Sequence, residues 1–274
     1  MLYDLHCHSC YSDGELSPAD LFERARVAGV TALALTDHDC VAGLAHAKAD
    51  GVRLIPGVEI SAGWHGKEIH IVGLNIDPAS AVLQPALAQQ GERRWARLRA
   101  MADKLAREKI DGVEDELHQR FPGALPSRSH VAQILVARGK AKDNERAFTR
   151  YIGRKGSAYV PAQWPDIATV VGWIVAAGGM AVIAHPGRYQ LSGNKLSELA
   201  SEFAAAGGVG IELSYPQLFL KEAQKMAKLA RQLGLYASQG SDFHSPAQRW
   251  TGLGRMPPLP PDVTPIWQHP AWRG

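Results

Sequence analysis

Cysteine is scarce in this sequence, which argues against a fold held together by disulfides. Only three cysteines occur among 274 residues, Cys7, Cys10 and Cys40. An odd and low number does not fit the paired cysteines of small secreted domains. All three lie close to residues of the metal-binding type, so we expect free thiols in a reducing compartment, the cytoplasm.

Long apolar runs are also missing. No stretch reaches the ~20 consecutive apolar residues that a membrane-spanning helix needs. Met1 leads directly into a strand-like segment and then into histidines, unlike a secretory leader. We therefore expect neither a leader nor contact with a membrane. The 46% of hydrophobic and 21% of charged residues are ordinary for a globular protein.

The small net charge of +3 hides an uneven distribution. Residues 85–160 contain 16 Lys and Arg against 9 Asp and Glu, a balance of +7, whereas the rest of the chain has a balance of −4. An acidic body beside a basic segment suits metal ions in the body and an anionic substrate near the segment. On charge alone, arginines that merely cover solvated helix faces remain an equal alternative.

Strand-like and helix-like segments alternate in both outer parts of the chain. Pro18 to Ala28 is a predicted helix with Ser17 as its N-cap, Ala32 to Leu35 is a buried strand, and Val41 to Ala49 is a short helix. Val52 to Ile55, Val58 to Ser61 and Glu68 to Leu74 continue the predicted strand pattern, and the alternation returns after Pro161. Such a rhythm predicts parallel βα units and an α/β fold.

The rhythm stops between these two parts. A long helical pattern runs from about Leu83 to Lys109, and further helices follow over residues 111–150. We therefore predict a barrel domain made of residues 1–82 and 160–274, interrupted by a helical insertion at residues 83–159.

His6 and His8 stand at the end of the first strand-like segment. Side chains alternate between the two faces of a strand, so both imidazoles point one way and Cys7 points the other. Two imidazoles on one face can hold a metal ion, and Asp13 follows on a turn with an oxygen ligand. Taken alone, His6 and His8 are better explained as two histidines on the surface of the protein.

The wider chain favours metal binding because each later strand-like segment ends in a residue of the same type. In a parallel barrel these ends meet on one face. The full set of candidate ligands is His6, His8, Asp13, His38, Glu59, His70, His185, Asp242 and His244. Nine ligands suit two or three ions, and imidazole with carboxylate favours Mn, with Zn or Fe as alternatives. Glu212 also ends a strand, and a ligand or a supporting role is left open for it.

The segments that carry these residues resemble the PHP (polymerase and histidinol phosphatase) family. They are His6-x-His8 with Asp13, Thr36-Asp37-His38, Glu59-Ile60-Ser61 with His70, Ala184-His185-Pro186, and Ser241-Asp242-Phe243-His244. The resemblance implies a distorted (β/α)7 barrel, a trinuclear metal centre and phosphoesterase chemistry. Related amidohydrolase barrels use a strand lysine as the metal bridge, and no lysine ends a predicted strand here.

The family pattern also implies how the ligands are shared. His6, His8, Glu59 and Asp242 would hold the first ion. Glu59 would bridge to a second ion with His70 and His185. Asp13, His38 and His244 would hold the third. The residues expected to serve catalysis are Asp13, His38, Glu59, His185 and His244.

Segments of the insertion resemble one subgroup of the family, which contains 3′,5′-nucleoside bisphosphate phosphatases and a 5′→3′ exoribonuclease. These are residues 126–132, 139–143, 147–148 and 151–161. This chain has Arg128-Ser129-His130 where the subgroup usually has Arg-Pro-His. Guanidinium groups match phosphate oxygens in pairs, so Arg128 and Arg154 are candidates to bind a second phosphate. Lys155 and His130 are further substrate-binding candidates, with a buried hydrogen-bonding role as the alternative for His130.

The sequence therefore predicts a metal-dependent phosphomonoesterase that removes the 3′-phosphate of nucleoside 3′,5′-bisphosphates such as adenosine 3′,5′-bisphosphate. Trimming of short RNA from the 5′ end is a close variant. The partner would be a nucleotide or short RNA, with no obligatory protein partner. The alternatives are a histidinol phosphate phosphatase and a PHP module that binds a partner without catalysis.

Overall fold

A computed structural model describes residues 1–48 and 50–273. Ala49, the last residue of one predicted helix, and Gly274 lie outside the described residues. The described chain forms one seven-stranded sheet whose strands are hydrogen-bonded in sequence order. The strands are β1 (Tyr3–Asp4), β2 (Ala32–Leu35), β3 (Arg53–Trp64), β4 (Lys67–Leu74), β5 (Met180–Ile183), β6 (Gly210–Ser214) and β7 (Tyr236–Gln239).

The first and last strands meet and nearly close the sheet into a barrel. The Leu5 amide donates to the Gln239 carbonyl at 3.0 Å, and the Asp242 amide donates to the His6 carbonyl at 2.8 Å. Cys7 and Phe243 continue this parallel pairing as an isolated bridge. The predicted seven-stranded α/β barrel is confirmed, and its closure places His6 beside Asp242.

Two neighbouring strands depart from the predicted parallel rhythm. β3 and β4 form an antiparallel hairpin, and β4 also runs antiparallel to β5. Residues 52–55 and 58–61, predicted as successive strands, both fall largely within the single long strand β3. The hairpin turns at His65 and Gly66, which have φ angles of 46° and 71°. Two left-handed residues give the tight turn whose twist matches that of paired strands.

Eight α-helices surround and interrupt the sheet in the described part of the chain. They are α1 (Pro18–Val27), α2 (Leu83–Arg107), α3 (Val113–Arg120), α4 (Arg128–Ala137), α5 (Asn144–Ala147), α6 (Ile167–Ala176), α7 (Gly193–Ala205) and α8 (Leu220–Leu233). Ser17 caps α1 as predicted, since its side chain accepts the Asp20 amide. The helix predicted from Val41 is shorter, a 3-10 helix at Ala42–His46.

The helices between β4 and β5 share an apolar core of their own. It is built from side chains between Leu98 and Ala158, among them Met101, Val131 and Ile152, all buried. A π-helical turn at Phe148–Ile152 follows α5 and completes this group. The exact division of the chain at residues 83 and 159 stays a prediction.

None of the helices in residues 1–48 and 50–273 combines the length and the apolar character needed to cross a bilayer.

Candidate metal centre

The predicted ligands converge at one end of the barrel. Loops after β1, β2, β5 and β7 deliver seven of them, while Glu59 and His70 lie within the β3–β4 hairpin. The prediction that every ligand ends a strand is therefore wrong for these two. They still reach the site because Glu59 faces His38 through an isolated β-bridge beyond the end of β2.

The first group of side chains is His6, His8, Glu59 and Asp242. The Nε2 atoms of His6 and His8 are 3.1 Å apart. Glu59 Oε2 lies 3.2 and 3.3 Å from these two nitrogens. Asp242 Oδ1 lies 3.4 and 3.1 Å from the same two nitrogens. Two nitrogens and two oxygens thus point at one common volume.

These separations fit a bound cation. Ligand atoms at roughly 2.0–2.1 Å from a tetrahedral ion stand about 3.4 Å from one another. The contacts are also hard to explain otherwise, because one imidazole proton cannot satisfy so many acceptors at once. The four side chains are buried, so solvent does not separate them.

Glu59 connects this group to the neighbouring one. Its Oε1 lies 3.0 Å from His70 Nδ1 and 3.0 Å from His185 Nε2. The compact second group is His38, Glu59 and His70, whose ligand atoms lie within 4.8 Å of one another. His185 approaches through Glu59 but is not part of that group, and His38 joins it. Glu59 Oε1 thus contacts both His70 and His185, the predicted partners of the second ion, and how the ions share the ligands stays a prediction.

The third group is His8, Asp13, His38 and His244. Asp13 Oδ1 lies 3.3 Å from His244 Nε2 and 3.7 Å from His38 Nε2. The other nitrogen of His38 lies 2.9 Å from Glu59 Oε2, so this ring spans the second and third groups.

Several buried ligand atoms make no hydrogen bond, although some of them lie close to an atom of opposite charge. They are His8 Nδ1, Asp13 Oδ1, His38 Nδ1, Glu59 Oε2 and His185 Nδ1. Buried polar atoms are normally paired, because leaving them unpaired costs ~1–3 kcal/mol each. A cation within this cluster would satisfy the lone pairs of Asp13, His38 and Glu59.

Charges within the cluster shift its pKa values in opposite directions. Burial opposes ionisation of Glu59, but nearby His6, His38 and His70 hold its pKa well below the usual range. Burial likewise opposes protonation of His70, yet Glu59 and Glu68 raise its pKa to about 10. The pKa of His8 falls to about 3, because it is buried and faces two other imidazoles. The metal-free site therefore balances carboxylate charge with protonated histidine.

Two supporting residues were not among the predicted ligands. One is Glu212, for which a ligand role and a supporting role were both left open. Its Oε1 atom lies 2.8 Å from His6 Nδ1, and its Oε2 atom accepts the His185 amide at 2.6 Å. It therefore orients ligands. Arg188 donates to Asp242 Oδ2 and helps to hold the pKa of that carboxyl well below its usual range. Arg188 comes directly after His185-Pro186-Gly187, but no local sequence pattern indicates that it pairs with Asp242.

A cleft lined by arginines opens beside the ligands. A cavity of about 110 Å³ is bounded by Asp13, His38 and His70 on one side and by residues of α2 and α4 on the other. On its wall, Glu68 Oε2 lies 3.0 Å from Arg97 and 3.3 Å from Arg128. Phe148 and Trp164 add aromatic faces to the same wall.

A second cavity, of about 210 Å³, adjoins the first. Glu68, Arg97 and Arg128 line both cavities. The remaining wall of the second cavity consists of Gly66, Lys67, Arg154, Tyr159, Arg188 and Tyr189. Five basic side chains against one carboxylate make this space suitable for an anion.

The four predicted substrate-binding residues are placed differently. Arg128 and Arg154 line the basic cavity. Lys155 is exposed on the loop beside Arg154 and is not among the lining residues. His130 is 2% exposed, and its Nδ1 accepts the Ser127 amide at 3.0 Å. Its geometry thus favours the alternative of a buried hydrogen-bonding histidine.

A larger cavity, of about 1000 Å³, lies away from the ligand cluster. It lies between the 3-10 helix at Ala42–His46 and helix α2, and its walls are mainly apolar. None of the nine predicted ligands lines it. The smaller, charged cavities are the ones adjacent to the ligand cluster.

Comparison with known proteins agrees with this geometry. The model of the PHP domain matches residues 4–154. A 3′,5′-nucleoside bisphosphate phosphatase of Chromobacterium violaceum is 43% identical over 97% of this chain and 95% of its own length. A 5′-3′ exoribonuclease, Rnm, of Escherichia coli strain K12 is 43% identical over 98% of this chain and 93% of its own.

A solved structure extends the likeness to the fold. An amidohydrolase of Chromobacterium violaceum, solved with sulfate and without metal, superimposes with a TM-score of 0.91. It is 42% identical, and the match covers 97% of this chain and 95% of that one. The chain therefore belongs to the PHP family, and it is an enzyme that hydrolyses phosphate esters.

Proposed function

We propose that this enzyme removes the 3′-phosphate from nucleoside 3′,5′-bisphosphates, adenosine 3′,5′-bisphosphate among them. The observation that carries the proposal is that Glu68, Arg97 and Arg128 form a wall common to the cavity at the ligand cluster and to the basic cavity. A substrate with two phosphates on one sugar can place one at each end. The names of the two relatives, a bisphosphate phosphatase and an exoribonuclease, point to the same class of substrate.

The nine clustered side chains would hold two or three divalent ions, with Mn first and Zn or Fe as alternatives. When bound, such ions would activate a water molecule for attack on phosphorus and offset the charge that develops on the phosphoryl oxygens. Asp13, His38, Glu59, His185 and His244 are the residues that we propose as catalytic. The reacting phosphate would lie in the cavity of about 110 Å³, because Asp13 and His38 of this set line it.

In this proposal the helical insertion binds the substrate and selects it. Arg128 lies over the ring of Phe148 at 5.6 Å, which limits the directions in which its guanidinium can point. Arg154 lines the basic cavity, and the exposed Lys155 beside it in sequence would add positive charge nearby. We propose residues 83–159 as the substrate-gripping part and residues 1–82 and 160–274 as the barrel. His130 would act only by shaping the start of α4.

Short RNA with a 5′-phosphate fits the same two cavities. Its terminal nucleotide carries a 5′-phosphate and, on O3′, the phosphate of the next nucleotide. Breaking the bond between that phosphorus and O3′ releases a mononucleotide and leaves a new 5′-phosphate on the remaining chain. The product is then a substrate again, so trimming proceeds 5′ to 3′. The faces of Phe148 and Trp164 would suit any base, because every base can stack.

The test is a comparison of substrates with the manganese-loaded enzyme. Phosphate release is measured from adenosine 3′,5′-bisphosphate, AMP and histidinol phosphate, and release of mononucleotide is measured from short RNA with and without a 5′-phosphate. We expect strong turnover of the bisphosphate, turnover of 5′-phosphorylated RNA, and little turnover of AMP. Turnover of histidinol phosphate alone would instead support the alternative phosphatase. Bound metal without any turnover would support a binding module.

A double variant that lacks two arginines then tests where the second phosphate of the substrate binds. Replacing Arg128 and Arg154 by alanine should lower kcat/KM for the bisphosphate by about 100-fold or more, mainly through KM. The matched control replaces Arg107 and Arg146, two exposed arginines of the same helical segment that line neither cavity. An equal loss in both double variants would mean that general charge, and not the basic cavity, attracts the substrate.

The cytoplasm remains our proposed compartment. Cys7, Cys10 and Cys40 are free thiols, and Cys10 is exposed. Exposed thiols persist where the surroundings are reducing. The substrates proposed here, nucleotides and short RNA, require no protein partner.

A further inference from the structure

One segment of the insertion lies directly against the loop that carries Asp13. The Leu125 amide donates to the Tyr11 carbonyl at 2.9 Å. Two residues further along both segments, the Ser127 hydroxyl donates to Asp13 Oδ2 at 2.8 Å. Two contacts with equal spacing hold the two segments side by side, so the start of α4 is fixed relative to the ligand cluster.

The geometry of the helix start leaves the Ser127 hydroxyl one way to point. As the N-cap of α4, its oxygen accepts the Ser129 amide at 3.0 Å. The Ser127 amide in turn donates to His130 Nδ1, which completes a reciprocal cap. His130 packs on Phe121 with ring centroids 4.2 Å apart. The hydroxyl has one proton, and it donates that proton to Asp13 Oδ2 while its oxygen accepts the amide of the cap.

This contact divides the two oxygens of Asp13 between two tasks. Oδ2 is held by Ser127, while Oδ1 is buried without a hydrogen-bond partner and faces His38 and His244. A carboxylate held by one oxygen presents the other in a fixed direction. Residues that orient metal ligands in this way typically contribute 10- to 100-fold to metal affinity.

We propose that Ser127 is a positioning residue for the metal ion bound by Asp13, His38 and His244. The helical insertion would then complete the metal centre as well as bind substrate, because Ser127 and the phosphate-binding candidate Arg128 are consecutive in the first turn of α4. The inference rests on the metal centre of the proposed function. It adds a role for a residue that is not among the predicted ligands or substrate-binding residues.

The test is a titration of the metal-free protein with Mn²⁺, followed by calorimetry and by metal analysis after dialysis. We expect Ser127→Ala to weaken one ion 10- to 100-fold and to leave the other affinities within about twofold. Ser127→Thr keeps a hydroxyl at the cap and should recover the lost affinity. The matched control is Ser192→Ala, because Ser192 caps α7 through the Lys195 amide.

Three outcomes would overturn the proposal: unchanged affinities in Ser127→Ala, an equal loss in Ser192→Ala, or no recovery in Ser127→Thr. Asp13→Asn separates this failure from failure of the metal centre itself. If Asp13→Asn weakens an ion and Ser127→Ala does not, only the positioning role is wrong. If neither weakens any ion, the proposed set of ligands is wrong.

Discussion

Glu59 is the residue on which the cluster is centred. Its two oxygens lie within 3.3 Å of nitrogens from five histidines, which are His6, His8, His38, His70 and His185. A fully buried carboxylate is costly unless it is paired or bound to metal. Glu59 therefore depends on the cations around it, protonated histidines without metal and metal ions when they are bound.

Metal-free protein should lose stability as the pH rises above neutral. The pKa values of His70 and His244 are raised to about 10 and about 9, because nearby carboxylates outweigh their burial. In the unfolded chain both would titrate near ~6.5. Their stabilisation is thus fully present below that value and is lost as the pH passes through 9 to 10. The melting temperature of chelator-treated protein should fall by about 5 °C or more from pH 7 to pH 10.

A variant checks the origin of this pH effect. His70→Asn removes one of the histidines with a raised pKa and should flatten the decline in differential scanning calorimetry. A melting temperature that stays level or rises over the same interval would contradict the assigned protonation. Metal binding should release protons near pH 7, since both histidines must be neutral to act as ligands.

At this scale the sequence was informative about ligand types and uninformative about their partners. The spacing of His6 and His8 predicted that both point one way, and their nitrogens do meet. The contacts of Glu212 with His6 and of Arg188 with Asp242 join residues that are far apart in sequence. No local pattern encodes such pairs, because they arise only when the barrel closes.

Among the elements, the turn after β7 sets the position of β1. A Cβ atom added to Gly240 would lie 2.3 Å from His6 Cβ and 2.8 Å from the His6 amide nitrogen. Real Cβ atoms do not approach so closely, so any side chain here must push the two segments apart. Gly240 thus permits the close contact that brings His6 to Asp242.

We expect Gly240→Ala to lower both stability and metal content. The displaced strand end would move His6 away from Glu59 and Asp242, so the ion of the first group should bind at least 10-fold more weakly. Thermal melting and metal analysis after dialysis measure the two effects. Gly172→Ala is the matched control, because an added Cβ meets nothing within 4 Å there, inside helix α6. Unchanged metal content in Gly240→Ala would show that the contact can relax.

The elements were largely predictable, and the hairpin was the exception. Ser17 with Pro18 marked the start of α1, and the helical pattern from Leu83 matched α2, because caps and periodicity are local properties. The alternation of strands and helices was extended to residues 52–74, where no helix intervenes. The His65-Gly66 pair was the available signal for a two-residue turn.

For the whole molecule, the uneven charge has a structural counterpart. The basic segment contributes Arg97, Arg128 and Arg154 to the cavity beside an acidic ligand cluster. A charged cleft of this kind concentrates an anionic substrate, and the effect weakens once the screening length falls below ~10 Å.

Salt should therefore reduce the efficiency of the enzyme with its bisphosphate substrate. Raising NaCl from about 0.05 M to about 0.5 M should lower kcat/KM for adenosine 3′,5′-bisphosphate several-fold, mainly through KM. The decline should be shallower in the Arg128 and Arg154 double variant than in the Arg107 and Arg146 control. Equal slopes in the two variants would indicate that the basic cavity does not steer the substrate.

The closure of the barrel by its first and last strands also sets an order of events during synthesis. His8 and Asp242, which meet in the first ligand group, are 234 positions apart in sequence. A chain that is still on the ribosome carries His6 and His8 long before Asp242 and His244 have been added to it. An ion that arrives in this interval meets an incomplete set of ligands. Full metal loading is therefore a late step, which must wait for the last strand of the barrel and the ligands that follow it.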